Sequence, residues 1–265
     1  MREVGKEELR EIQIEILKSI HSFCVHEGLR YSLSSGTLLG AVRHKGYIPW
    51  DDDIDIMMPR PDYEMFRKTY PGYNPNYSVQ SYHVDESYWF NFVKVYDKRT
   101  VFVENAAKNG VYVDVFPIDG LPNSQEERMR ILERATVLVN RDLRWTTKEY
   151  RVKTQKKDVI LHYLKYLCRN KLVDSRQNTI KKLDELFLFN SFDNSPVAGV
   201  FFFDRMLAVL PRTIYDQYKS IEFEQISFSC IEDTHLYLSA LYGDYMKLPP
   251  VEKRVPGHNI HAYWL

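Results

Sequence analysis

Four carboxylates crowd into residues 48–58, which read Ile-Pro-Trp-Asp-Asp-Asp-Ile-Asp-Ile-Met-Met; they are Asp51, Asp52, Asp53 and Asp55. Acidic and apolar residues alternate in the second half of this segment. Because successive side chains of a β-strand point to opposite faces, we expect Asp53 and Asp55 on one face and the two isoleucines on the other. Neighbouring carboxylates repel each other unless a cation lies between them. The pattern therefore predicts a site for a hard divalent cation, Mg²⁺ or alternatively Mn²⁺.

A further aspartate, Asp114, stands alone in an apolar run, where residues 111–117 read Val-Tyr-Val-Asp-Val-Phe-Pro. Such residues indicate a buried strand, and a carboxylate inside one is costly unless it is paired or binds a metal. If this strand lies beside that of Asp53 and Asp55, three carboxylates converge. Acids arranged in this way hold Mg²⁺ against phosphate oxygens and accept the proton of an attacking hydroxyl. We predict that all three ligate a metal used in phosphoryl transfer, and that Asp114 also assists deprotonation.

The same acids allow two other interpretations. One is a calcium-binding loop, whose first, third, fifth and twelfth positions would be Asp51, Asp53, Asp55 and Asp62. That loop requires glycine at its sixth position, where Ile56 stands. The other is a solvated acidic loop, of which strict alternation with isoleucine is not typical. The metal-bearing strand is favoured over both, with Asp51 and Asp52 orienting the metal ligands from outside.

Five residues upstream of the acids are candidates for binding a phosphorylated substrate. Ser35 and Gly36 precede a short helical pattern, and the free amides of a helix start, approached closely at glycine, suit a phosphate group. Such a pair is frequently only a turn, and it gains weight here from the acids that follow. Arg43, His44 and Lys45 form a basic cluster between this turn and the acids, and we expect them to grip a nucleotide diphosphate.

The order of these segments resembles the nucleotidyltransferase fold shared with DNA polymerase β, which has a Ser-Gly turn, an Asp-Ile-Asp strand and an isolated later aspartate. Within it, residues 36–46 (Gly-Thr-Leu-Leu-Gly-Ala-Val-Arg-His-Lys-Gly) and 48–55 are similar to the LicD family. That family includes bacterial phosphocholine transferases and, more distantly, fukutin-type transferases. The similarity continues in residues 94–97, 113–119, 241–246, 249–250 and 258–263.

The resemblance implies an α/β (α+β) fold with a nucleotidyltransferase-like mixed sheet and flanking helices. It also implies Mg²⁺-dependent transfer of phosphocholine from CDP-choline, or from a related CDP-alcohol, with release of CMP. The acceptor would be a hydroxyl of a glycan or lipid-linked glycan, of teichoic-acid or lipopolysaccharide type. Two alternatives stay open: a nucleotidyltransferase that attaches a nucleotide to a sugar or alcohol phosphate, and a non-catalytic choline- or glycan-binding module.

The resemblance adds site residues at Lys94 and in the C-terminal tail. Lys94 would stabilise charge on the phosphate during transfer, although a lysine on a strand is otherwise most simply a solvent-facing residue. The tail containing His258 and His261 would fold back over the active site. A zinc site at these histidines is not favoured, because the spacing lacks a third nitrogen or sulfur ligand.

Aromatic residues near the acids are candidates for binding a quaternary ammonium group, which aromatic faces attract. Those close to the catalytic segments in sequence are Tyr47, Trp50, Tyr88 and Trp89. Most aromatic side chains belong to protein cores, so core packing is the alternative for each of them.

Hydrophobic periodicity predicts the elements that position these residues. Helices are expected over 7–27, 37–44, 62–69, 124–145, 159–168, 179–189 and 233–242. Strands are expected over 29–34, 53–58, 77–82, 88–96, 111–116 and 221–229. We assign 1–121 and 211–265 to the catalytic core with its tail, and 122–210 to a mainly helical insert.

Charge and composition limit the partners and the compartment. Acidic and basic residues number 36 each, so no general attraction to nucleic acid is expected. Scattered cysteines, and the lack of a signal-peptide or membrane-spanning pattern, predict a soluble cytoplasmic protein. Residues 148–171 are strongly basic, which indicates a solvated helical face or, alternatively, peripheral contact with the anionic inner leaflet of the membrane.

Overall fold

The computed structural model describes residues 1–85, 88, 90–102, 110–139, 175–202, 205–255 and 261–265. Its α-helices are α1 (Lys6–Glu27), α2 (Ser35–His44), α3 (Arg60–Thr69), α4 (Gln125–Val137), α5 (Arg176–Leu188) and α6 (Thr234–Tyr242). Its strands are β1 (Arg2–Glu3), β2 (Ser32–Leu33), β3 (Asp55–Pro59), β4 (Tyr77–Gln80), β5 (Val93–Asp97), β6 (Thr100–Phe102), β7 (Tyr112–Leu121), β8 (Val197–Phe202), β9 (Arg205–Pro211), β10 (Tyr218–Phe223), β11 (Ile226–Ile231) and β12 (Ala262–Trp264). Short 3₁₀ turns occupy Arg212–Tyr215 and Val251–Lys253.

The central element is a mixed sheet with β7 in its middle. The strand order is β2-β3-β7-β5-β4, and only the β3–β7 pair among these is parallel. The second half of β7 pairs with β8, which continues into β9. Most of β7 is buried, in agreement with its apolar and β-branched sequence. The mixed α/β fold class predicted from the sequence is therefore confirmed.

Helix α1 covers this sheet and packs against β7 and β5. Its buried residues recur at helical spacing and include Leu9, Ile12, Ile16 and Ile20. Gly28 ends the helix in the left-handed conformation, with φ of +69°, and its N–H donates to the carbonyl of Cys24. None of the described helices combines the length and the apolar character that crossing a bilayer requires.

Two of the differences between the described chain and the sequence prediction change how the strands pair. The single strand expected over 221–229 is wrong, because β10 and β11 form an antiparallel hairpin there. The turn consists of Glu224 and Gln225, with φ of +51° and +62°. Hairpin turns of this kind are normally recognised by asparagine or glycine, and neither residue occurs in this one.

The second difference lies in residues 122–210, which we expected to be mainly helical. Here β8 and the larger part of β9 join the central sheet through β7. The helix predicted over 159–168, and the end of that predicted over 124–145, lie outside the described residues. The division of the chain into a catalytic core and an insert stays a prediction.

Candidate active site

Three polar side chains meet across neighbouring strands of the central sheet. Asp55 at the start of β3 is the parallel partner of Asp114 on β7, and Asp114 lies opposite Lys94 on the antiparallel strand β5. Directly paired residues project from the same face of a sheet. The Nζ atom of Lys94 is 2.6 Å from Oδ1 of Asp114. The strand register therefore brings two widely separated acids and a lysine together, as the sequence predicts.

The loop before β3, residues 51–53, supplies the most closely grouped carboxylates in the described part of the chain. Asp51, Asp52 and Asp53 each offer an oxygen atom, and these atoms lie within 4.8 Å of one another. We call these three residues the acid loop. Asp53 also belongs to the trio predicted from the sequence, so it is common to both groups.

The charges of these acids act on one another. Burial, followed by the nearby charges of Asp53 and Asp52, raises the pKa of Asp51 to about 7. The pKa of Asp55 is likewise raised, by burial first and then by Asp53, Asp114 and Asp51. The acid loop and the Asp55–Asp114 pair thus form one electrostatic unit. Crowded carboxylates of this kind are the donor set of a hard divalent cation, so the residues fit Mg²⁺ or Mn²⁺.

The start of helix α2 borders the acid loop. A Cβ atom placed on Gly36 would come within 2.7 Å of Oδ2 of Asp51, so the carboxylate lies directly against the glycine. Ser35 precedes it with φ of +46°, an uncommon conformation for serine. The backbone N–H of Asp55 donates to the hydroxyl of Thr37 at 2.8 Å. The predicted phosphate-binding turn therefore lies beside the acids.

Helix α1 holds the acid loop in place, a role that the sequence analysis did not assign. The Nη2 atom of Arg10 donates to the carbonyl oxygen of Asp51 at 2.8 Å. The buried Nε2 atom of Gln13 donates to the carbonyl oxygen of Asp52 at 2.9 Å. A polar residue within an apolar helical stripe was the signal for Gln13, but the sequence does not say what it binds.

Lys94 is buried among aromatic rings. Its Nζ atom lies 3.4 Å from the centroid of the Tyr112 ring, and the rings of Phe90 and Phe92 are 5.7 and 5.4 Å away. The exposed fraction of Lys94 is 7%. An ammonium group gains from aromatic faces and from a carboxylate when it leaves water. Lys94 is therefore held in place beside Asp114, and it is not the solvent-facing strand lysine that was the alternative.

The predicted basic cluster is only partly assembled. Nε of Arg43 donates to Nε2 of His44 at 2.9 Å, and Nη1 of Arg43 donates to the carbonyl oxygen of Tyr245 at 2.9 Å. Burial, and then the charge of Arg43, lower the pKa of His44. Lys45 has φ of +60° at the end of α2 and is exposed. Its carbonyl accepts from the N–H of Glu224, so its described role is to turn the chain.

Two of the predicted cage residues are buried. Tyr47 is 7% exposed, and its hydroxyl donates to Oε1 of Gln13 at 2.9 Å; Tyr88 is 2% exposed. Neither presents an open ring face. Trp50 is partly exposed, with its ring centroid 6.4 Å from that of His44. Trp89 lies outside the described residues.

Tyr242 is an aromatic residue at this site that the sequence analysis missed. It ends helix α6, its exposed fraction is 44%, and it lies in the Leu-Tyr-Gly-Asp segment noted for its family resemblance. Burial raises its pKa, and so do the charges of Tyr237 and of three acids of the site, Asp55, Asp51 and Asp53. The ring therefore stands within electrostatic reach of the acids while part of it remains open.

Of the two predicted tail histidines only His261 is described, and its contact is with Glu3 rather than with the acids. His261 is exposed, with Nδ1 located 3.3 Å from Oε1 of Glu3, while His258 lies outside the described residues. The strand that follows, β12, pairs with β1 and β6 in a small separate sheet.

Comparison with known proteins matches the sequence of this chain to one family. The LicD family model, described as the LicD/FKTN/FKRP nucleotidyltransferase domain, matches residues 28–159. The lipopolysaccharide cholinephosphotransferase LicD of Haemophilus influenzae is 28% identical over 291 aligned positions, covering 100% of both chains. This chain belongs to the LicD family. The resemblance noted from the Gly-Thr-Leu-Leu-Gly and Ile-Pro-Trp-Asp-Asp-Asp segments is confirmed.

Two shorter similarities concern uncharacterized rickettsial proteins. One, from Rickettsia typhi, is 42% identical over 57 residues, which is 22% of this chain and 18% of that protein. The other, from Rickettsia prowazekii, is 32% identical over 94 residues, 34% of this chain and 35% of that protein. The LicD family model contains the acid loop, Asp55, Lys94 and Asp114, whereas Tyr242 lies beyond it.

Proposed function

We propose that this chain is a divalent-cation-dependent phosphocholine transferase. Its donor is CDP-choline, its acceptor is a hydroxyl of a cell-surface glycan precursor of teichoic-acid or lipopolysaccharide type, and CMP is the second product. Full-length similarity to a cholinephosphotransferase supports the class of reaction. The observation that carries the proposal is the alignment of Asp55, Asp114 and Lys94 on three neighbouring strands beside the acid loop.

Asp53, Asp55 and Asp114 would hold the cation, and Asp51 and Asp52 would support it from the acid loop. The raised pKa values of Asp51 and Asp55 favour this assignment, because a dication would offset both causes of the shift, the burial of these carboxylates and then the repulsion among them. Bound there, Mg²⁺ or Mn²⁺ would neutralise charge on the phosphate oxygens of the donor. Asp53 is the most important of the proposed metal ligands, because it belongs both to the predicted trio and to the acid loop.

The remaining steps belong to protein side chains. The acceptor hydroxyl attacks the choline-bearing phosphorus and transfers its proton to Asp114. The new bond is P–O to the acceptor, and the bond broken is P–O to CMP, which leaves with the electron pair. Lys94, fixed by its ion pair at 2.6 Å, offsets negative charge on the transferring group. Ser35 and Gly36 at the start of α2 would receive phosphate oxygens through backbone N–H groups.

Tyr242 is our first candidate for the choline pocket, and Trp50, whose ring already has the Arg254 guanidinium 5.6 Å from its centroid, is the second. A quaternary ammonium donates no hydrogen bond, so it is recognised mainly through aromatic faces. Both side chains are partly open, and Tyr242 is close enough to the acids to respond to their charge. Trp50 immediately precedes Asp51 in the sequence. Tyr47 and Tyr88 are buried, so we do not include them in the proposed pocket.

One alternative reaction is supported by the description of the family model as a nucleotidyltransferase domain. An enzyme of that class would attach the nucleotide itself to a sugar or alcohol phosphate and release pyrophosphate, using the same acids. The two reactions differ in which fragment of the donor remains on the acceptor.

A doubly labelled donor tests the proposal. Full-length protein, Mg²⁺ and a glycan acceptor are incubated with CDP-choline labelled separately in the choline methyl groups and in the cytidine ring. We expect choline label on the acceptor and cytidine label in free CMP. Cytidine label on the acceptor would instead show transfer of the nucleotide. A parallel incubation with CTP and a sugar or alcohol phosphate tests the nucleotidyltransferase, which would release pyrophosphate. Release of no fragment from any CDP-alcohol and of no pyrophosphate from CTP would favour a binding module.

Variants of the acids test the site itself. Asp53→Asn and Asp55→Asn should each lower kcat by about a hundredfold or more with an unchanged circular dichroism spectrum. Asp193→Asn, at an exposed position after α5, is the matched control and should retain full activity. Wild-type turnover in Asp53→Asn would refute the site.

The cellular location stays a prediction. The basic segment 148–171, for which we considered contact with the inner leaflet, lies outside the described residues. A cytoplasmic enzyme that meets a lipid-linked acceptor at the inner face of the membrane would be consistent with the proposed donor.

A further inference from the structure

Two arginines from distant parts of the chain are connected through two aromatic rings at the far end of helix α2. Arg43 is in the last turn of α2, and Arg254 follows the 3₁₀ turn Val251–Lys253. The contacts run through His44 and Trp50: Nε of Arg43 donates to Nε2 of His44 at 2.9 Å, and the ring centroids of His44 and Trp50 are 6.4 Å apart. The guanidinium carbon of Arg254 is 5.6 Å from the centroid of the Trp50 ring.

The two guanidinium groups repel each other electrostatically. Burial lowers the pKa of Arg43, and the charge of Arg254 lowers it further. Arginine nevertheless stays protonated, so two permanent like charges are held close together. Holding them together without an anion raises the free energy of the folded chain.

No carboxylate compensates this pair within the described part of the chain. The described acceptors are neutral: Arg43 donates to His44 and to the carbonyl of Tyr245, and Arg254 donates through Nε to the carbonyl of Pro249 at 2.9 Å. Residues 256–260, which follow Arg254 closely, read Pro-Gly-His-Asn-Ile and contain no acid. These bonds orient both guanidinium groups and leave N–H groups on their outer nitrogens for another acceptor.

The arginine pair adjoins the acids. Trp50 connects directly to Asp51 in the chain, and Arg254 lies 5.6 Å from the centroid of the Trp50 ring, so the contacts of the pair reach a residue next to the acid loop. An anion bound by the arginines would therefore lie beside the acid cluster. Arginine forks match the oxygens of a phosphate group better than any other side chain.

We propose that Arg43 and Arg254 form an anion site that binds a phosphate ester during the reaction. The identity of that ester rests on the proposed function, since it is either the diphosphate of the nucleotide donor or a phosphate group of the acceptor glycan. The site itself does not rest on it, because its evidence is the pairing of two uncompensated cations. Arg254 is a substrate-binding residue that lies outside the segment matched by the family model.

Binding of inorganic pyrophosphate and of CMP tests the site without turnover. Titration calorimetry is carried out on full-length wild-type protein with Mg²⁺ and no acceptor, and then on Arg254→Ala and Arg254→Lys. We expect Arg254→Ala to weaken binding of at least one probe about tenfold or more, and Arg254→Lys to weaken it less, because the lysine keeps the charge but loses the fork. The matched control is Lys253→Ala, which removes a neighbouring exposed cation and should bind as the wild type does.

Steady-state kinetics identify the source of the phosphate. A higher KM for CDP-choline in Arg254→Ala, with an unchanged KM for the acceptor, assigns the site to the donor, and the reverse assigns it to the acceptor. Equal binding of both probes by Arg254→Ala and wild type, or equal loss in Lys253→Ala, would overturn the proposal. So would a fall in thermal stability without any change in binding or KM, which would make Arg254 structural. Loss of probe binding in a protein that transfers no phosphocholine would retain the anion site and reject only the proposed function.

Discussion

Lys94 and Asp114 lie directly opposite each other on antiparallel strands, with 2.6 Å between Nζ and Oδ1. Both side chains are largely buried, at 7% and 8% exposure for the residues. Removing one partner of a buried pair leaves an uncompensated charge, whereas removing both does not. Replacing either residue of the pair should therefore lower the stability of the sheet and also change the charge beside the acid loop.

We expect Lys94→Met to lower kcat by about a hundredfold and to lower the melting temperature, because Asp114 loses its partner. The double variant Lys94→Met with Asp114→Asn should regain most of the stability but no activity. Circular dichroism melts and initial rates of CMP release measure the two effects. Lys94→Arg, which keeps the charge, separates charge from side-chain shape. Full activity in Lys94→Met would show that the lysine only stabilises the fold.

The crowded carboxylates of the acid loop and Asp55 should make the metal-free protein less stable as the pH rises. A carboxyl group has a pKa of about 3.9 in an unfolded chain, whereas that of Asp51 is raised to about 7. Between these values the folded state binds more protons than the unfolded state, so this contribution to stability falls with rising pH. The raised pKa of Asp55 acts in the same direction.

Replacement of Asp51 by asparagine should therefore raise the melting temperature in EDTA, by more at pH 8 than at pH 5. Asp193→Asn provides the comparison, since it alters one exposed aspartate away from the cluster. An identical gain at both pH values would mean that Asp51 is not the titrating group. In wild-type protein, Mg²⁺ should raise the melting temperature at pH 8, as binding to the folded state alone requires.

The sequence predicted those features of the site that depend on residues close together in the chain, but not those that depend on contacts between distant residues. Alternation of aspartate and isoleucine predicted a strand over 53–58, and the observed strand is Asp55–Pro59, so the placement of Asp53 on the strand was wrong. An acid in an apolar run correctly marked the strand of Asp114. The pairing of these two strands was only a condition of the prediction, because periodicity within a strand carries no information about its neighbours. Long-range contacts such as that of Arg254 with Trp50 leave no local pattern. The same holds for Tyr47, whose burial depends on a partner 34 positions earlier, Gln13.

Gly36→Ala should separate metal affinity from stability. The added methyl would meet Oδ2 of Asp51 at 2.7 Å, and this atom is the end of a flexible side chain, so the carboxylate moves at little cost to the fold. We expect a melting temperature in EDTA close to that of wild type, and a clearly higher Mg²⁺ concentration for half-maximal CMP release. Gly5→Ala is the matched control, because nothing lies within 4 Å of the added methyl there. An unchanged Mg²⁺ requirement would place Asp51 outside the metal's surroundings.

Gln13 should control the position of the acid loop from within the core. Its exposed fraction is 1%, Nε2 donates to the carbonyl of Asp52, and Oε1 accepts from the hydroxyl of Tyr47. Gln13→Leu removes both bonds and leaves the Asp52 carbonyl without this donor, which should cost about 1–3 kcal/mol of unfolding free energy. Because small displacements of reacting groups are expensive, kcat should also fall, by up to about a hundredfold.

Tyr47→Phe distinguishes the two bonds of Gln13, since it removes the hydroxyl and leaves the bond to Asp52 intact. We expect it to lose stability but to keep a kcat and a Mg²⁺ requirement near those of wild type. If Tyr47→Phe lowers kcat as much as Gln13→Leu does, the effect arises from general loosening of the core. If only Gln13→Leu does so, the hydrogen bond from helix α1 to the Asp52 carbonyl is what holds the carboxylates in their working geometry.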